Sequence, residues 1–136
     1  MSLKRTILGF GLVVLAFDVV WETLSRIVAN PFGSLGWVAF LLTLFIYTAA
    51  GMVAAAGSGS FSDGPSAGVA VGAIDALLGG LLLSLIGRTQ VLEPVLWASL
   101  VLSTIVGIGL GALFGTIGAA CLRLPFVASR LGSKDI

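Results

Sequence analysis

The sequence predicts an all-α, polytopic membrane fold: four transmembrane helices in one bundle with glycine-zipper packing. Three observations predict it. Charged residues are only 10% of the 136 and hydrophobic residues 58%, with a mean hydropathy of +1.17, whereas a soluble domain carries about 25% charged residues. Four apolar segments, Thr6–Val28, Leu35–Ala56, Ala67–Ile86 and Leu92–Leu122, each reach the ~20 residues that span ~30 Å of hydrocarbon as a helix. Two of them carry glycine or alanine at every fourth position. The chain 1–136 reads as a single transmembrane domain ending in a cytoplasmic tail, 125–136.

The first segment opens like a signal peptide, with Lys4 and Arg5 before the apolar run Ile7–Ala16. No small-residue cleavage site follows, and the run continues through Asp18, Trp21 and Glu22, so it reads as a retained span. Ala29-Asn30-Pro31-Phe32-Gly33-Ser34 is a tight reversal, because proline pushes Asn30 out of helical dihedrals. Gly57–Ser66 is flexible by composition, with Asp63 placed to cap the third helix and Pro65 to sit in its first turn. Gly87-Arg88-Thr89-Gln90 is a short polar connection, Glu93-Pro94 suits the start of the fourth helix, and Pro125 closes it. Sliding Gly11–Leu24 onto Gly68–Leu81 matches Asp18 with Asp75, so the sequence also admits two tandem helical hairpins arranged as parallel repeats.

Lys4, Arg5, Arg123, Arg130 and Lys134 flank one side of the predicted bundle against Arg26 and Arg88 on the other. The positive-inside rule then puts both termini in the cytoplasm, in a plasma or inner membrane. Trp21, Trp37 and Trp97 fall near span ends, as interfacial anchors do. A net charge of +1 leaves no basic field for nucleic acid. With no histidine and one cysteine, Cys121, a metal or redox cofactor is not expected. No nucleophile and base can be nominated together, so enzymatic activity is not expected either.

Two patterns carry physics. Gly107, Gly111, Gly115 and Ala119 form one ridge, and Gly68, Gly72, Ala76 and Gly80 another. Residues four apart stack on one helix face, and without side chains they let backbones approach closely in lipid. Such ridges serve packing within one chain or a seam between copies, so a homo-oligomer or a larger membrane complex is an expected partner beside the bilayer itself.

The second pattern is acidic. Asp18 lies ~18 Å along the first span and Asp75 ~12 Å along the third at ~1.5 Å per residue, both near the bilayer centre, where a carboxylate costs about 2.5 to 3.5 kcal/mol to insert. Asp75 shares its face with Gly68, Gly72 and Gly79 and so points into a helix contact. Asp18, Glu22 and Arg26 follow at intervals of four, with Glu22 N-terminal to Arg26 as an ion pair prefers. Tyr47, Thr48, Ser103 and Thr104 are candidate partners for the aspartates, although intramembrane hydroxyls more often bond carbonyls of their own helix.

The stretch Asp18-Val19-Val20-Trp21-Glu22-Thr23-Leu24-Ser25-Arg26 resembles the first helix of the small multidrug resistance transporters, in which an embedded acid precedes a short run ending in a basic residue. The tryptophan-containing third-helix motif of that family is absent from Ala67–Ile86, and no family is assigned. Two functions remain. The first is a helix-packing or interaction module that self-associates or joins a membrane complex. The alternative is a small proton- or cation-linked transporter or channel that uses Asp18 and Asp75, with Glu22 lining the exit.

Overall fold

The computed structural model describes residues 2–27, 36–87 and 93–124. Among these residues the chain is all-helical, and four helices are long and apolar enough to cross a membrane. They are α1 (Leu3–Ile27), α2 (Gly36–Ser58), a third helix in three parts, and α5 (Glu93–Cys121). The third helix comprises α3 (Asp63–Ile74), a π-helical turn (Asp75–Gly79) and α4 (Gly80–Gly87). The expected reversal at Ala29–Ser34, the connection Arg88-Thr89-Gln90 and the tail 125–136 lie outside the described residues.

The expected loop Gly57–Ser66 is mostly helix. Gly57 and Ser58 belong to α2 and Asp63 already opens α3, leaving a turn of Gly59–Ser62. Gly59 takes φ of +73°, the left-handed conformation that ends helices, and its N–H bonds the Ala55 carbonyl at 2.9 Å. Asp63 is not the cap. Ser62 occupies that position in helical dihedrals without a side-chain cap bond, and the Asp63 and Gly64 N–H groups are taken by the Ser60 and Phe61 carbonyls. Asp63 instead places its charge in the first turn, where the helix dipole favours an anion. Phe61 packs on Ala55, Ala119 and Leu122, and the Arg123 guanidinium stands 4.8 Å from its ring centroid. The end of α5 and the α2–α3 turn therefore share one end of the bundle.

Small residues fill the interior and large ones cover the exterior. Ala50, Ala54, Ala55 and Ala67 are fully buried, whereas Leu8, Phe45, Leu85, Val101 and Ile105 are each more than half exposed. The larger buried side chains, Val14, Leu44, Tyr47 and Val71, join α1, α2 and α3 in one cluster.

Glycines set the closest helix contacts. α3 and α5 run antiparallel with Gly64 against Gly115, Gly68 against Gly111 and Gly72 against Gly107, and a methyl group added at Gly68 would overlap the Gly111 carbonyl oxygen. On its other side α5 meets α2 in parallel: Gly51 lies against the Gly115 backbone and Gly118 against Thr48 and Met52. Gly80 behaves differently from the rest of its ridge. Its nearest neighbour is the Leu100 side chain, 2.8 Å from an added methyl, so at this level α5 approaches through leucine and not through backbone.

Candidate functional site

The backbone contact between α3 and α5 ends at Gly72 and Gly107, one turn before Asp75. Beyond it Leu100 stands between the two helices, and a cavity of about 320 Å³ opens with walls from all four spans. Asp18 enters from α1, Phe40, Thr43, Leu44 and Tyr47 line it from α2, and Asp75 and Gly79 come from the π turn. Ser103, Val106 and Leu110 complete it from α5.

Asp18 and Asp75, matched in depth by the sequence, meet here. Their carboxyl groups converge over Gly79 at the cavity wall, and the Tyr47 hydroxyl donates to Asp75 Oδ2. Gly79 makes the encounter possible: a methyl there would sit 2.6 Å from Asp18 Oδ2 and 3.3 Å from Asp75 Oδ1. Gly11 contributes from further along α1, where an added methyl would lie 2.9 Å from Ile74 Cδ1, so α1 approaches closely just before the π turn. Two carboxylates brought together repel when both are ionised, and a proton on either one removes that repulsion.

The π turn itself, a wider turn that recurs at functional positions, is invisible to a reading of four-residue spacing. It begins at Asp75, whose N–H reaches both the Gly72 and Val71 carbonyls.

Among the predicted hydroxyl partners only Tyr47 bonds an aspartate. Thr48 donates to the Leu44 carbonyl at 2.9 Å, and Ser103 and Thr104 donate to that of Leu100 at 3.0 and 2.6 Å. Glu22 lies outside the cavity lining. Its Oε1 accepts from Arg26 Nη2 at 2.7 Å and Nε at 2.8 Å, on a part-exposed stretch of α1. Single ion pairs with solvent access contribute roughly 0–1 kcal/mol. Glu22→Gln is therefore expected to change unfolding free energy by less than about 1 kcal/mol in a denaturant titration.

Comparison with protein-family models, curated proteins and solved structures finds no match for this chain. The site has to be read from its own chemistry.

Proposed function

We propose that the chain is a multi-pass membrane protein, clasped by a glycine zipper between α3 and α5, that acts as a small proton-linked carrier with the Asp18–Asp75 pair as its exchange site. The observation that carries this reading is the meeting of the two carboxyl groups over Gly79 at the wall of a cavity lined from every span. Inserting each carboxylate near mid-bilayer costs about 2.5 to 3.5 kcal/mol. A purely structural clasp needs no acids, since serine, threonine or asparagine bond across helices without that cost, and two carboxylates repel whenever both ionise. Groups that are costly, coupled and open to a cavity suit proton exchange better than they suit packing.

Membrane insertion is supported by the inverted surface, with leucine, phenylalanine and valine outside and alanine and glycine inside. Lys4 and Arg5 at the start of α1 and Arg123 after α5 fall at one end of the alternating helices, with Arg26 at the other. That bias favours cytoplasmic termini.

The test is proton flux into liposomes carrying the purified protein and an entrapped pH dye. Wild type is expected to pass protons, and Asp18→Asn/Asp75→Asn to reduce the rate at least ~10-fold while eluting unchanged from a sizing column. Equal flux in both proteins would sink the carrier reading. A self-associating or complex-joining module is the second reading. It is favoured by an apolar groove on the outer face, lined by Leu77, Leu81, Trp97, Val101 and Ile105, and it predicts no proton flux with or without the acids.

A further inference from the structure

The cavity's polar groups are all of one kind. The Thr43 hydroxyl hydrogen is taken by the Ala39 carbonyl at 3.1 Å, that of Ser103 by Leu100, and that of Tyr47 by Asp75. What these groups can still offer a guest are oxygen lone pairs, beside the carboxyl oxygens of Asp18 and Asp75. No side-chain N–H lines the cavity among the described residues. The remaining walls, Phe40, Leu44, Val106 and Leu110, are apolar. Such a lining repels anions and rewards a guest that donates hydrogen bonds from one end and is apolar at the other. A volume of about 320 Å³ falls within the ~300–1,000 Å³ of small-molecule sites and far exceeds what a bare ion fills.

Resting on the carrier reading, we infer that this cavity binds a small organic monocation, a primary ammonium on a compact apolar body, in one-for-one exchange for a proton carried by the Asp18–Asp75 pair. Before exchange the pair holds one proton and one negative charge. The ammonium enters, that proton leaves to water, and the N–H groups bond both carboxylates in its place. The site then holds two carboxylates and one cation, so its net charge is unchanged and no bond to carbon forms or breaks. The titratable groups facing the exchange are Asp18 from α1, Tyr47 from α2 and Asp75 from the π turn; α5 lines the cavity with serine, glycine and aliphatic residues. A primary ammonium has three donors to spend on these acceptors, and a quaternary one has none.

The experiment is calorimetric titration of the protein in lipid nanodiscs with benzylammonium chloride, in buffers of different ionisation enthalpy that count protons. Saturable binding is expected, with one proton released per cation and affinity weakening about tenfold per unit fall in pH while the pair holds its proton. Benzyl alcohol and tetramethylammonium are expected to bind at least ~10-fold more weakly, since one lacks the charge and the other the donors. Asp75→Asn should lose binding at least ~10-fold, and Ser103→Ala, which spares the acids, several-fold, with helicity unchanged by circular dichroism. Benzyl alcohol binding equally well, binding without proton release, or no saturable binding would overturn the inference. If benzylammonium fails to bind while aspartate-dependent proton flux persists, the ligand class is wrong and the carrier stands. Binding with proton release but without liposome proton flux when a benzylammonium gradient is imposed retains the site and removes the carrier.

Discussion

Gly68→Leu is expected to take the bundle apart. A methyl group at this position already overlaps the Gly111 carbonyl oxygen and lies 2.8 Å from its carbon and 2.9 Å from Gly115 Cα. These are backbone atoms of a helix and cannot swing aside as a side chain can. Overpacking that neighbouring side chains absorb costs about 1–3 kcal/mol; here α3 and α5 have to separate along the glycine contact, so the loss exceeds that range. The measurement is denaturant unfolding in detergent beside elution on a sizing column, with Gly109→Leu as reference, since nothing lies within 4 Å of an added methyl at Gly109. Gly68→Leu should shift the midpoint strongly or aggregate, and Gly109→Leu should behave as wild type. Equal behaviour of the two would mean that close backbone approach is not what holds the third and fourth spans together.

Gly79→Ala is the second large effect, and it falls on function. The added methyl would stand 2.6 Å from Asp18 Oδ2 and 3.3 Å from Asp75 Oδ1, so one carboxyl group must turn away and the pair is parted. The obstructing atoms here are side-chain termini, which move cheaply, so the bundle should survive. Displacing a reacting group by ~1 Å costs up to ~10²-fold in rate, and proton flux in liposomes is expected to fall at least ~10-fold at unchanged helicity and elution. Flux equal to wild type would mean that the two acids do not work as a pair.

The sequence carried the four helices because hydropathy and length decide them, and the described helix ends fall within a few residues of the expected ones. The exception is the third, which starts at Asp63 and not at Ala67. Gly57 and Ser58 read as loop residues, yet they continue α2, because buried alanines and the left-handed Gly59 fix where it ends. The α3–α5 glycine contact was legible from four-residue spacing through Gly72 and Gly107. That of Gly51 with Gly115 was not, since a single glycine in the second span announces no ridge. Asp18 and Asp75 could be matched in depth by counting residues, but whether they meet depends on how each helix is rotated about its axis. That rotation is set by contacts such as Gly11 on Ile74 and Gly79 beneath both carboxyls, and no pattern within one segment reports it. Tyr47 stood out as a possible partner for its hydroxyl alone, and nothing local separated it from Thr48, one residue on and bonded to its own helix.

The π turn at Asp75–Gly79 also bears on how this chain can vary. Each residue of an α-helix advances the face by about 100°, whereas a π turn carries about one residue more for the same rotation, so losing one residue from it would restore ordinary winding and leave the faces of α4 nearly where they stand relative to α3. The glycines that seat α3 on α5 would keep their places, everything beyond Gly79 would present the same side to its neighbours, and only the turn itself would be re-aimed. The third span therefore holds a joint that can give up one residue, placed where the acids sit. A one-residue deletion there acts on the cavity alone, whereas the same change among Gly64, Gly68 and Gly72 would put the whole bundle out of register.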